Sequence, residues 1–571
     1  MEGIRTGGQA RLPFPLFKAS WLHLITMAVV VFFFAVPIVR LILLSVQGES
    51  GFELAQYEQI LSSARTWSVM KNTVYVVCGS TAMAVALGLV MAWIVAYCDI
   101  RLKGFLQALI LLPFIIPSYI VTLAWAQFFA PKSAFSAALQ TIAGAAPWNV
   151  YSLGGIIFVM GLSHYPVVYM LSLGVFRKIP RDLEMASRLS GASRWSTFRK
   201  VTWPIALPGI ASGGLLAFLA GLDNFGIPAF LGIPANISVL STYIYEEIVG
   251  FGPSAFSRAA VLSVLLGAVA CAGTLVQWFV TRKAKTFETS AEDKEPRVRL
   301  GRLRLPLELL LWGFLLATSV IPLFSMFATS VMRAYGLEFI PANWTLEHYA
   351  FLLLESGKAK QAMANSVMLA FVTTIICLVA GTAVAYLRLR KPSRWTKAAE
   401  LMISIPYALP GIVLALAMIL VWMEPIPGWN PGIYGSTAIL FIAYAVRFLI
   451  LQMRGSVTAL QQVDVSMEEA AHSNGAGHVQ KWRRILLPLL FPGLLSGAFL
   501  VLLYALTELT VSSILWSSGS ETIGVVIFGF EQAGDTTYST AFSSLIVLLI
   551  GIGMLTLYIV QQAWNRRMKS A

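Results

Sequence analysis

The residues best placed to do chemistry sit on two short acidic stretches, Asp182, Glu184, Ala186 and Gly191 in one, Ser466, Glu468, Glu469, Ala470 and Gly475 in the other. Neither holds a nucleophile beside a base, a working carboxylate pair or metal-spaced His and Cys, so the chemistry on offer is recognition rather than catalysis. An acid ahead of a short helix and a glycine behind it make a firm, capped knob. Ser466-x-x-Glu469 reads as a capping box, the hydroxyl accepting an orphan backbone N–H while the Glu reaches back to the cap. Asp182 supplies the matching cap in the first copy, where Met185 stands in place of the reciprocal Glu. Gly191 and Gly475 suit the left-handed turn that ends such a helix. A second short helix is expected over 193–203 and 477–487, broken at Pro204 and Pro488 before the next segment begins.

The two stretches are one motif written twice. Matched residues stand 284 positions apart, as Glu184 and Glu468, Gly191 and Gly475, and Pro204 and Pro488 do. Other pairs stand 293 apart: Asn72-Thr73 with Asn365-Ser366, and Pro113-x-x-x-Pro117 with Pro406-x-x-x-Pro410. The first half therefore carries nine extra residues, best placed in the loop around 131–151, where insertion costs little. A capped knob held in register twice points to a duplicated protein that uses both copies for docking.

Hydrophobic spans must carry these knobs. With 57% apolar and 12% charged residues in 571, and a mean hydropathy of +0.75, the chain cannot hide its apolar surface in a soluble core. Twelve stretches reach the roughly 20 residues that a hydrocarbon core of about 30 Å demands. They lie near 21–46, 73–97, 105–130, 152–176, 205–232 and 259–281, then near 307–331, 366–388, 399–422, 433–454, 485–516 and 540–562. The expected fold is an all-α membrane protein of about twelve transmembrane helices, arranged as two parallel six-helix repeats. Residues 1–281 form the first domain, 282–306 a charged linker with the composition of a solvated tether, and 307–571 the second domain. The first hydrophobic segment begins late, is long and lacks a small-residue cleavage site around Pro37 and Arg40, so it is read as a retained span.

Charge orients the spans. With a cytoplasmic N-terminus, the inside segments hold 32 of the 41 Lys and Arg. Both termini and both loops, 177–204 and 455–485, are then cytoplasmic. The net charge of +14 has this cause; the basic residues flank a lipid bilayer, and no nucleic-acid partner is expected. Cys78, Cys98, Cys271 and Cys377 show no C-x-x-C spacing and are expected to be buried small apolar residues, with no metal site.

At this point the chain resembles a known family. Glu469-Ala470-Ala471-x-x-x-Gly475 with Leu487-Pro488 is similar to the cytoplasmic signature of permease subunits of type I binding-protein-dependent ABC importers. Met185-Ala186-Ser187-x-x-x-Gly191 with Trp203-Pro204 is its altered copy, lacking the signature Glu but keeping Glu184. The resemblance covers both halves, and such tandem fusions look most like iron(III) permeases, with thiamine, 2-aminoethylphosphonate and polyamine systems as alternatives. Leu222-Asp223-Asn224 through Gly232 is also similar to the iron-type members. The resemblance implies that the knobs are coupling helices seated on two copies of an ABC ATPase. It implies an extracytoplasmic solute-binding protein on the other side, alternating access, and residence in the bacterial cytoplasmic (inner) membrane. The chain has no G-x-x-x-x-G-K-[ST], so ATP and Mg belong to the partner; this chain is expected to be no enzyme and to hold no cofactor.

Polar residues inside spans are costly and often functional. Asp223 and Asn224 in the fifth span align with Thr507 and Glu508 in the eleventh, and Asp223, Asn224 and Glu508 are expected to face a central pathway. Replacing Asp223 by Asn or Glu508 by Gln should then hold or raise expression while uptake falls. Arg447 is expected to snorkel to the cytoplasmic face. His164 reads as a packing histidine beside a kink at Pro166. An ion-coupled secondary transporter is the alternative class, but it has no use for two capped knobs.

Overall fold

The computed structural model describes residues 24–48, 51–131, 148–250, 254–282, 293–424 and 432–570, with positions 133, 136, 141, 144 and 252 besides. The expected start of the first span, the basic N-terminus, most of the loop around 131–151 and the linker's first part lie outside the described residues. Among those described, ten helices are long and apolar enough to cross a membrane: Leu24–Ser45, Ala64–Tyr97, Leu153–Lys178, Arg194–Asp223, Ala255–Thr281, Gly301–Ser330, Gly357–Arg390, Thr437–Gln461, His478–Leu506 and Thr536–Val560. These are spans 1, 2, 4, 5, 6, 7, 8, 10, 11 and 12 of the expected twelve.

Spans 3 and 9 are bent. Lys103–Ile115 turns by 101° into Ser118–Phe128, and Arg394–Ala408 by 111° into Gly411–Trp422. Proline is the cause: its ring crowds the preceding residue out of the helical region. Ile116 and Leu409, just before Pro117 and Pro410, are extended at ψ 134 and 144. The matched Pro-x-x-x-Pro motifs therefore mark a corner, while Pro113 and Pro406 ride inside their helices.

Spans 5 and 11 differ from expectation at both ends. Their helices stop at Asp223 and Leu506, short of the predicted 232 and 516, and the short helices Gly226–Leu231 and Ser512–Leu515 follow. At the other end Pro204 and Pro488 break nothing. Each knob's second helix runs straight into the span through a π-helical turn, Phe198–Thr202 or Trp482–Leu486. The wider turn sits where a proline ring would otherwise strike the carbonyl one turn back. Knob and span are thus one continuous lever.

The halves interlock through their first spans. Phe32 and Phe33 of span 1 pack their rings on Trp422 of span 9, and Arg40 meets Glu424 at 2.9 Å. In the reverse sense Trp312 of span 7 stacks on Phe105 of span 3, and Thr329 Oγ1 donates to Gln127 Oε1 at 3.1 Å. Within each half, small residues let backbones close up, as they do in membrane bundles. A Cβ on Gly88 of span 2 would come within 2.7 Å of Val168 Cβ in span 4.

The repeated Asn72-Thr73 and Asn365-Ser366 have a structural task. Thr73 Oγ1 accepts the Leu240 N–H and Ser366 Oγ the Ile523 N–H, at 2.8 and 2.9 Å, while both Asn side chains donate to carbonyls of the same segments. They tie span 2 or 8 to the loop after span 5 or 11. Cys98 and Cys377 are buried as expected, but Cys78 and Cys271 lie on the bundle's outer surface, where their helices face away from the core.

Candidate functional site

Both knobs form, though their caps differ from the sequence reading. The first is Arg181–Leu189 with Pro180 at the cap position; Asp182 is its exposed second residue, favourable toward the positive helix end but capping nothing. The second is Val465–Ser473, capped by Asp464, which accepts the Ser466 N–H at 2.9 Å. That N–H holds the Asp464 carboxyl below its usual range. Ser466 is already inside the helix, so the Ser466/Glu469 capping box does not form. The glycine turns do: Gly191 has φ +87 and Gly475 φ +75. The N–H of Ala192 reaches the Ser187 carbonyl and that of Ala476 the Ala471 carbonyl, closing a Schellman turn in each.

The knob residues divide into two faces. Asp182, Ala186, Ser466, Glu469 and Ala470 are exposed, as is Met185. Glu184 and Glu468 turn inward and anchor the knob. Glu468 accepts from Arg390 Nε at 2.6 Å, Lys481 Nζ at 2.8 Å and Tyr386 Oη at 3.0 Å. Burial pushes its carboxyl up, but these donors outweigh burial and hold it below the ordinary value. Glu184 accepts from Tyr97 Oη at 2.7 Å, Thr202 Oγ1 at 2.6 Å and Arg297 Nη1 at 3.0 Å. The sequence reading missed every one of these donors, although the acid shared by both copies was the available signal. The Glu that the first copy lacks belongs to the outward face, not to the anchor.

At the opposite end of the two levers, where spans 5 and 11 break, both halves wall a cavity of about 290 Å³. The first half contributes Tyr119, His164, Asp223 and Asn224; the second contributes Tyr407, Arg447, Tyr504 and Glu508. The structure thus brings Asp223, Asn224 and Glu508 together around one cavity, and gives each a partner. Asn224 Oδ1 accepts the Ile227 N–H at 2.9 Å, and Glu508 accepts those of Val511 and Ser512, so these aligned residues cap the short helices after the breaks. Asp223 crosses the interface between the halves. Its Oδ1 accepts the Gly411 N–H at the corner of span 9, and Arg447 Nη2 donates to both its oxygens at 2.9 and 2.8 Å.

Arg447 therefore does not snorkel. It is followed by fourteen residues of helix, about 21 Å at 1.5 Å per residue, which is beyond its reach. The guanidinium side chain is 7% exposed and finds a carboxylate instead. Neutralising Asp223 alone would strand that cation, so the pair argues against the expectation that expression holds or improves in Asp223→Asn. Tyr119 Oη, His164 Nδ1 and Arg447 Nη1 are buried without a protein partner. His164 is buried as expected of a packing histidine, yet it lines the cavity and its ring nitrogen is one of these polar groups. Among the described residues no three His, Cys, Asp or Glu converge as a metal-ligand set.

A family model described as the binding-protein-dependent transport system inner membrane component matches residues 84–285 and again 377–570. Among curated relatives, the ferric transport system permease protein FbpB of Actinobacillus pleuropneumoniae is 24% identical over 93% of this chain and 76% of that one. The probable ABC transporter permease protein y4fN of Sinorhizobium fredii is 23% identical over 88% and 89%, and the putative ferric transport system permease protein FbpB 1 of Haemophilus influenzae 25% over 87% and 78%. Among solved structures, a chain of a bacterial alginate ABC transporter in complex with its alginate-bound periplasmic protein is 19% identical, covers 47% of this chain and 97% of its own length, and has a TM-score of 0.39. With the family's domain found once in each half, between them covering well over half its length, the chain belongs to the binding-protein-dependent transport system inner membrane components.

Proposed function

We propose that this chain is the complete membrane conduit of an ATP-driven importer, with iron(III) as its solute, handed over by an extracytoplasmic binding protein. One observation carries the conduit: the cavity shared by both halves lies at the broken ends of the same two helices whose other ends form the knobs. Moving a knob must therefore move a wall of the cavity. In this reading each knob seats on one copy of an ABC ATPase, which holds the ATP and Mg, while this chain binds no cofactor. Asp182, Ala186, Ser466, Glu469 and Ala470 make the contact; Glu184, Glu468, Gly191 and Gly475 hold it in shape. Asp223, Asn224 and Glu508 line the path, and the buried polar atoms around it, each costing roughly 1–3 kcal/mol if left unpaired, favour a polar solute in transit. The knobs and both termini are cytoplasmic, which the distribution of Lys and Arg supports.

The solute rests on the ferric permeases among the relatives, since among the described residues no three His, Cys, Asp or Glu converge to mark a site for the ion. The test is uptake of radiolabelled ferric citrate into vesicles holding this chain, its ATPase and its binding protein, with 2-aminoethylphosphonate, thiamine and spermidine as competitors. ATP-dependent accumulation of iron, lost in Glu469→Lys, is expected. Accumulation of a competitor instead would keep the conduit and replace the solute, and uptake without ATP would remove the ATPase from the scheme.

A further inference from the structure

The first knob is held by a cation that its own repeat does not supply. In the second half the anchor Glu468 is bound by Arg390, at the end of span 8, and by Lys481 from the knob's second helix. The positions that correspond in the first half, 293 and 284 residues earlier, are Tyr97 and Thr197, both neutral. Yet Glu184 is ion-paired, at 3.0 Å, to Arg297. That residue lies in the linker that composition describes as a solvated tether.

The replacement is accurate in detail. Arg390 Nη2 donates to the Val463 carbonyl at 2.8 Å; Arg297 Nη2 donates at 2.6 Å to Ile179, the residue 284 positions before Val463. One guanidinium thus joins the same two acceptors in each half, the anchor acid and the carbonyl that ends the preceding span. Arg297 is as deeply set as its counterpart, with 8% of its side chain exposed against 12%, and it lies over the Tyr97 ring at 4.9 Å.

The linker is tied down at several points between 293 and 300. The Asp293 N–H donates to the Arg177 carbonyl, the Arg297 and Val298 N–H groups to that of Tyr97, and the Leu300 N–H to Asp99 Oδ1. Arg181, the first residue of the knob, pairs with Asp293 at 2.8 Å. Burial pushes the Asp293 carboxyl up, but the Glu295 N–H and the two arginines more than reverse that.

We infer that residues 293–300 are a brace for the first knob, and that Arg297 is its positioning residue, doing from the linker what Arg390 does within the second half. The inference rests on the knobs being the docking elements proposed above only for its consequence: ATPase grip on the first half then depends on the junction between the halves. The brace itself is testable without any ATPase.

The experiment is amide hydrogen exchange on the purified full-length chain, read at residues 181–191 and 465–475. Arg297→Ala should speed exchange tenfold or more in the first knob and leave the second unchanged, and Arg390→Ala should do the reverse. Tyr97→Arg placed on Arg297→Ala puts the cation where the second repeat keeps it, and should restore slow exchange in the first knob. Unchanged exchange at 181–191 in Arg297→Ala overturns the brace, as does equal loosening of both knobs. Retention of ATPase through purification is then compared in the same variants. A loosened first knob with undiminished ATPase retention would support the brace and count against the docking reading.

Discussion

The break in span 5 and the break in span 11 occupy matching places in the two repeats and carry unlike chemistry. In the first, Asp223 meets Arg447 across the interface; at the positions equivalent by the 284-residue offset stand Thr507 and Ser163, both neutral. The residues beside them keep one task in two forms, Asn224 and Glu508 each capping the short helix that follows. At the knobs the same contrast recurs, with common acceptors, Glu184 and Glu468, served by donors from different parts of the chain. A duplicated frame thus retains what local backbone geometry demands, because a broken helix needs a cap in either half. Charge pairing across the interface is not fixed by local backbone geometry, and it has diverged.

The largest effect expected from this comparison is at the ion pair. Asp223→Asn strands a buried guanidinium and should destabilise the chain by roughly 3–5 kcal/mol, whereas Arg447→Gln leaves an acid that is 35% exposed and should cost less. The double variant should recover most of the loss, measured as thermal unfolding in detergent. Simple additivity of the two losses would mean that the pair does not couple the halves.

Next come the anchors. Glu468→Gln weakens hydrogen bonds to two cations and Glu184→Gln to one, at about 1.5–3 kcal/mol for each charged bond. Exchange should therefore rise further in the second knob than in the first. Because the folded-state carboxyl of Glu468 is depressed below its ordinary 4.5, its contribution is fully present above that pH and is lost as pH falls through the depressed value. Protection of residues 465–475 should be flat from pH 8 to 5, and a loss within that window would contradict the assigned charge state.

The glycine turns should be alike. Both Gly191 and Gly475 have open space where a methyl would project, so only left-handed strain opposes alanine, at about 1–2 kcal/mol in each. Unequal losses of protection in Gly191→Ala and Gly475→Ala would show that the knobs differ in backbone as well as in charge. Smallest is Met185→Glu, which restores an acid on the exposed face and should change stability by less than about 0.5 kcal/mol. Its effect should appear as firmer ATPase retention by the first half; none would mean that the outward acid contributes nothing to grip.

Much of this was legible in the chain. Span count, duplication, the two knobs and their glycine turns follow from hydropathy, register and local backbone preference, all of which act over a few residues. The corners at Pro117 and Pro410 were visible as matched prolines but not as bends, because proline inside a span can kink, cap or ride through according to its neighbours. Pro204 and Pro488 show the opposite outcome, absorbed by π turns that no residue pattern announces. The caps at Asp464 and Pro180 were displaced by two residues from the reading, since residue pattern fixes a helix start only to within a residue or two.

The sequence by itself determined that the protein lies in a membrane, that it is built twice, and which short segments protrude from it, because each of these is set by composition or by contacts close along the chain. Only the tertiary structure decided which charges meet. Arg447 finds Asp223 from 224 residues away and Arg297 finds Glu184 from 113, and in a low-dielectric interior an ionised side chain takes the nearest available counter-charge whatever its distance in sequence.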